Sequence, residues 1–188
     1  MNGRLRILTL TACLLAAPAA LAAPKLDMLL ARLHLAGDGA EAARIAKAAR
    51  KQWVAQGPYS ARLLLLQAGR AEAAGYAETA ADLRDLVVAQ WPDYAFGWYR
   101  RALARFADGD MAGALADLDR ALALQPLYFD ALVAKGRVLL AMKRHGKAAD
   151  AFSQALIIWP GMKAAKAGLK RARGRLGRRV RLLTMPRK

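Results

Sequence analysis

Apolar residues along this chain recur at the three- and four-residue spacing of amphipathic helices, and turn residues cut the periodic stretches into short pieces. The spacing predicts helices over roughly 26–35, 40–55, 61–74, 77–90, 95–108, 111–124, 129–142, 145–158 and 162–181. Alanine and leucine dominate, with little strand-forming composition. The pattern also repeats in detail. The segment Ala95 to Pro126 carries Trp98, Ala102, Gly109-Asp110, Ala114, Leu118, Ala121-Leu122 and Pro126. Phe129 to Pro160 places Leu132, Gly136, Ala148, Phe152, Ala155-Leu156 and Pro160 at the same offsets. Small residues at the eighth and twentieth positions let two helices cross closely, and large apolar residues fill the space around that contact. Proline closes each second helix, because it has no N–H to donate and clashes with the preceding turn.

Pro24, Pro58, Pro92, Pro126 and Pro160 fall 34 residues apart. A weaker copy of the pattern, Ala61 to Pro92, has Leu64, Ala68, Gly75-Tyr76, Ala80 and Val87, but Arg84 stands where an aromatic residue or leucine is usual. Before it the phase slips. Gly37-Asp38 marks a turn that aligns Ala42 with Ala80, Ala114 and Ala148, and Pro58 then arrives about one helical turn late. Period, small-residue positions and closing prolines together resemble the tetratricopeptide repeat (TPR) family, whose unit is two antiparallel helices and a turn. The resemblance implies an all-α fold, an α-solenoid of helix-turn-helix repeats with a C-terminal capping helix. On this reading 61–94, 95–128 and 129–162 are three repeats. Residues 23–58 form an atypical N-terminal helix pair that caps the stack, and 163–188 are a basic capping helix and tail.

Residues 1–22 read as a signal peptide, with Arg4 and Arg6 at the start, an apolar run from Ile7 to Ala20, and Ala20-Leu21-Ala22 at the cleavage site. The run is too short and alanine-rich for a retained membrane span, and no other apolar run in the mature chain reaches that length. Pro24 then lies beside the new N-terminus and is not a repeat marker. A competing reading takes Leu10-Thr11-Ala12-Cys13 as a lipoprotein motif anchored through Cys13. With the signal removed after Ala22 no cysteine is left, which suits an exported helical stack with an adequate core. The chain as a whole looks like small periplasmic TPR proteins of Gram-negative bacteria.

Charge is uneven. The chain carries a formal net charge of +17, and 11 lysines and arginines with no acid follow Met162. The high pI therefore belongs to the tail. Ala165, Leu169, Ala172, Leu176 and Leu183 form one apolar stripe there, which covers the last repeat. Lys163, Lys166, Lys170, Arg171, Arg173, Arg178, Arg179 and Arg181 are candidates for an anionic surface, either lipid or lipopolysaccharide. Gly168, Gly174 and Gly177 are expected to weaken this helix by about 1 kcal/mol each.

Little points to catalysis. His34 and His145 sit in different units without a second ligand at metal spacing. No phosphate loop or nucleophile motif is present, and Asp38 and Asp110 read as helix N-caps. The expectation is a non-enzymatic chain with no cofactor, no metal site and no catalytic residue. Binding has more to work with. The TPR resemblance implies that the first helix of each unit lines a concave groove. By position that groove presents Arg62, Leu65, Glu72, Phe96, Tyr99, Leu103, Phe106, Asp130, Val133, Arg137 and Leu140, with Arg100 beside them. The alternative for the aromatics is packing between adjacent units, which Phe106 suits better than binding, while Tyr99 suits either and Phe96 suits binding. The Lys and Asn that clamp a carboxylate in some TPR domains are absent. An aromatic groove with arginines on its rim suits a protein or peptide partner. The alternative is an envelope-surface binder acting through the tail. Nucleic acid is disfavoured as a partner by the export signal.

Overall fold

The computed structural model describes the backbone of residues 25–184 and the side chains up to residue 177. Arg4, Arg6 and Cys13 lie outside the described residues, as do the side chains of Arg178, Arg179, Arg181 and Leu183. The described elements are all helices: α1 (Leu26–Leu35), α2 (Ala40–Ala55), α3 (Tyr59–Ala73), α4 (Ala77–Gln90), α5 (Ala95–Ala107), α6 (Met111–Leu124), α7 (Phe129–Ala141), α8 (His145–Ile158) and α9 (Lys163–Thr184). Each lies within one helical turn of its predicted span.

Helices α3–α4, α5–α6 and α7–α8 form three hairpins that stack in order, and α9 follows on α8. Within each hairpin the crossing is set by small residues. Ala68, Ala102 and Gly136 on the first helices face Ala80, Ala114 and Ala148 on the second, and all six are buried. Leu118 and Phe152 fill the gap above the crossing, each 1 % exposed. In the α3–α4 hairpin the same position holds Arg84, 4 % exposed, whose guanidinium reaches Glu72. A buried charge survives there because it is paired. The turn inside each hairpin needs one left-handed residue, and the equivalent positions are Gly75 (φ 86°), Gly109 (φ 88°) and Lys143 (φ 58°).

Pro92, Pro126 and Pro160 each stand two residues beyond the last residue of a second helix, as expected. Of the two expected caps, one is formed. Asp110 accepts the Gly113 N–H at 2.8 Å, whereas the N-cap residue of α2 is Gly39, with no side-chain cap bond, so Asp38 does not serve as one. Gly168 was expected only to loosen α9. In fact it is a contact point, since a Cβ there would lie 2.4 Å from the Phe152 ring. Ala165 and Ala172 are buried beside it, while Leu176, expected in the same stripe, is 41 % exposed.

The N-terminal pair departs from the expectation of a cap. α1 and α2 do not stack on α3. They fold back along the loops that join one hairpin to the next, with α1 against α8 and α2 against α5. Three successive loops receive them. The Tyr94 hydroxyl donates to the Val54 carbonyl at 2.8 Å, and its ring fills the space beside Gly57, where a Cβ would lie 2.4 Å away. Tyr128, one period on, stacks on Trp53. At the third loop the Trp159 indole N–H donates to the Gly37 carbonyl at 2.9 Å, and His34 Nδ1 lies 2.7 Å from the Ile157 carbonyl. A Cβ on Gly161 would lie 1.8 Å from that Gly37 oxygen. The reason is burial. Leu29, Leu30, Leu33, Ile45 and Trp53 are all buried in one core with Phe129, Leu132 and Ile158. The loop row offers Tyr94, Tyr128, Phe129 and Trp159 together as a surface for that face. Tyr59, Leu63 and Leu66 are left exposed on α3 as a result.

Candidate functional site

The first helices of the hairpins, α3, α5 and α7, carry the groove residues named from the sequence. Leu65 and Val133 are buried, Phe96, Tyr99, Leu103, Arg62 and Arg100 are half-buried, and Arg137 is exposed. The aromatics form a chain rather than isolated anchors. Phe96 lies 5.9 Å from Tyr94 and 6.2 Å from Tyr99, and Tyr99 lies 5.0 Å from Tyr128. Phe96 and Tyr99 are therefore both half-buried and partly committed to packing, each against two rings. Burial pushes the Tyr99 hydroxyl up to about 12, with the Asp130 carboxylate adding to it, and burial pushes Tyr94 up to about 12 as well.

The groove arginines are held by ring faces. Arg100 lies over Phe96 at 5.9 Å and Arg137 over Phe106 at 5.7 Å. Such contacts are worth about 0.5–1 kcal/mol at exposed sites and leave the in-plane N–H donors open. The carboxylates nearby are spoken for. Glu72 takes Arg84. Asp130 takes Arg50 through two parallel bonds, Nε–Oδ2 at 2.7 Å and Nη2–Oδ1 at 2.9 Å. This pairing holds the Arg50 guanidinium still more firmly protonated. The surface that these residues share is therefore apolar and aromatic with arginines beside the rings.

Arg50 was absent from the sequence-derived set, because it belongs to α2 and reaches the groove only through the fold-back. It also lies over the Phe129 ring at 5.2 Å. The 34-residue offset of Tyr94 and Tyr128 was a signal that could have pointed to this edge. Arg101 on α5 bonds Asp117 of α6 through Nε (2.8 Å) and Nη2 (2.7 Å) and Asp85 of α4 through Nη1 (2.8 Å). This network is structural. Of the tail candidates, Lys163, Lys166, Lys170, Arg171 and Arg173 are exposed on α9.

Among the described residues no group of three or more His, Cys, Asp or Glu is placed to hold a metal ion. No described helix is long and apolar enough to cross a membrane. His34 and His145 stand apart on α1 and α8.

Comparison with known proteins bears on what this architecture is. A sequence model of the tetratricopeptide repeat matches residues 99–163. A TPR repeat-containing protein of Rhizobium etli is 30% identical over 142 residues, 76% of this chain and 70% of the relative. Among solved structures, the Sgt2 TPR domain from Aspergillus fumigatus superposes with a TM-score of 0.63 at 22% identity, covering 70% of this chain and 88% of that one. The first TPR domain of Spaghetti (RPAP3), solved with an HSP90 peptide, gives 0.60 at 22% identity, covering 63% and 94%. The MamA protein gives 0.58 at 27% identity, covering 72% of each chain. Three hairpins in 34-residue phase, small residues at each crossing and these likenesses agree: the chain belongs to the tetratricopeptide repeat family.

Proposed function

We propose that this chain is a non-enzymatic, exported scaffold that binds a segment of another protein on its concave face. The observation that carries this reading is the pairing on that face. Arg100 and Arg137 rest on the rings of Phe96 and Phe106, while Asp130 and Glu72 are tied to Arg50 and Arg84. Half-exposed aromatics beside arginines are the residue types that dominate protein–protein binding energy. The Spaghetti domain named above was solved bound to the peptide SRMEEVD, which supports a peptide-binding use of the same fold. Pull-down with Phe96→Ala/Tyr99→Ala beside the parent chain tests it. Loss of specific partners from the variant is the expected result, and an unchanged partner set overturns the reading.

Export to the periplasm of a Gram-negative cell rests on Arg4, Arg6, the run from Ile7 to Ala20, and Ala20-Leu21-Ala22. The mass of the mature N-terminus tests it. A chain starting at Ala23 supports the soluble form, and a lipidated Cys13 replaces it with the anchored one. A second reading, in which the tail binds anionic lipid or lipopolysaccharide, is favoured by the exposed Lys163, Lys166, Lys170, Arg171 and Arg173 on a helix without acids. Flotation with anionic and neutral vesicles separates the two. A chain lacking 163–188 that floats as well as the intact one sinks the tail reading.

A further inference from the structure

We propose that the cleft between α7 and α9 is a binding site for an internal acidic segment of a partner protein, one with an apolar side chain flanked by carboxylates. The proposal rests on the concave-face reading above and names both the subsite and its ligand chemistry. The cleft encloses about 310 Å³, near the lower bound of about 300–1,000 Å³ usual for ligand sites, which suits a side chain rather than a cofactor. Its floor is apolar: Val133 and Leu140 from α7, the edge of Phe152 from α8, and the bare backbone of Gly168 on α9. Gly168 opens this space, because a side chain there would both strike Phe152 and fill the cleft.

The rim is cationic on both sides. Arg137 and Arg171 flank the floor. An adjoining depression of about 400 Å³, which shares Leu140 and Arg171, adds Lys143 and Arg175. No ion pair described for this structure involves Arg137, Arg171, Arg175 or Lys143. Neither depression is lined by a carboxylate. An apolar floor under four cations is complementary to leucine-type anchors flanked by Asp or Glu, and each arginine fork can donate two parallel N–H bonds to one carboxylate.

Two other anionic partners fit less well. Sequence-tolerant binding of single-stranded nucleic acid uses exposed aromatic faces for base stacking, and the one ring in this floor, Phe152, is 1 % exposed. A bilayer surface is flat on this scale and does not reach a floor recessed between two helices. The segment is internal because the rim donates from both sides of the floor, so acceptors are needed on either side of the anchor rather than at a chain end.

The test is fluorescence anisotropy on the full mature chain, with a labelled peptide acetylated and amidated at its ends and carrying one central leucine between glutamates. Arg137→Glu/Arg171→Glu is expected to weaken binding at least about tenfold, which is about 1.4 kcal/mol. Replacing the leucine by serine also weakens it, and added salt lowers affinity. Both substituted arginines are exposed on helices, and circular dichroism confirms that the variant keeps its fold. Parent chain that does not bind the peptide overturns the proposal, as does binding unchanged in the charge-reversed variant. If Phe96→Ala/Tyr99→Ala abolishes binding and the charge reversal does not, the groove reading stands and the cleft assignment falls. If neither variant alters binding, both fall. An oligonucleotide or anionic vesicle that competes as strongly as the peptide, with the same dependence on Arg171, overturns the commitment to a protein ligand.

Discussion

Trp53 of α2 stacks on Tyr128 with ring centroids 4.2 Å apart, 75 positions away in the chain and in a different repeat. Phe129 meets the same indole edge-on at 4.9 Å. This contact joins a helix pair outside the 34-residue phase to the loops of the repeats that keep it. It also brings Arg50, one turn earlier on α2, to Asp130 at the rim of the groove.

Trp53 is 1 % exposed, and its indole N–H has no partner among the described residues. Its contribution is therefore one of shape and apolar area. Trp53→Ala should cost about 3–5 kcal/mol of stability, read from urea denaturation followed by circular dichroism. Trp53→Phe, which gives up a donor that bonds to nothing, should cost about 1.5 kcal/mol or less. A Trp53→Ala chain as stable as the parent would place α1 and α2 outside the cooperative unit.

Lys143 adopts φ 58° at the turn where the two earlier hairpins use glycine. A Cβ in the left-handed region costs about 1–2 kcal/mol, so Lys143→Gly should raise the denaturation midpoint, net of some added freedom in the unfolded chain. The same change at a right-handed turn residue should lower it. A lowered midpoint for Lys143→Gly would mean that the lysine side chain contributes more than the backbone costs.

Asp117 is 2 % exposed and is held by Arg101 and, at 3.2 Å, by Arg105. The hydrogen bonds that Arg101 donates to Asp117 and, to a lesser degree, to Asp85 hold it firmly protonated against the opposing effect of burial. Arg101→Met leaves a buried carboxylate with only part of its neutralisation and should cost about 3 kcal/mol. Replacing both, Arg101→Met with Asp117→Leu, removes the stranded charge and should cost less than the single change. A double variant worse than the single one would show that the pair itself, not the uncompensated charge, carries the energy.

Alkaline pH should unfold the chain through its buried tyrosines. Burial raises Tyr94 and Tyr99 from 10.0 to about 12, and raises Tyr128 further still. The folded state keeps these protons where the unfolded state releases them. Their stabilisation is therefore complete below about pH 10 and is lost as pH rises through about 12. Denaturation midpoints measured across this range, with tyrosinate absorbance as the second signal, check it. Tyr128→Phe should flatten the decline. A midpoint that stays level above pH 10 would show that these hydroxyls are solvated.

Much of this architecture was legible in the chain. The offsets of Ala102, Gly136, Ala114 and Ala148 announce close crossings, and Pro92, Pro126 and Pro160 mark the ends of hairpins, because both are local consequences of side-chain size and backbone chemistry. Phe96, Tyr99 and Val133 were legible as positions on the first helices, which the structure places on α5 and α7; their use as a binding groove is the proposal. Arg84 read as a departure from that pattern, and its partner Glu72 lay 12 residues away on the neighbouring helix. Arg50 was not legible as a groove residue. Nothing in the local pattern of α2 says which surface its apolar face covers, and Asp130 lies 80 positions away. Local propensity marks Gly168 only as a weak helix residue. Its value lies in the Phe152 ring it admits.

By itself, the sequence determined the order of helices, the 34-residue period and the three hairpins, because these depend on spacing, turn residues and side-chain size within short reach. The tertiary structure decided where α1 and α2 go. Two apolar surfaces were open to them, the end of α3 and the row of loops at Tyr94, Tyr128 and Trp159. The loops offer aromatic stacking for Trp53, bonds to the Val54 and Gly37 carbonyls, and a carboxylate for Arg50. That choice is a sum over contacts between residues far apart in the chain, and it forms one edge of the groove.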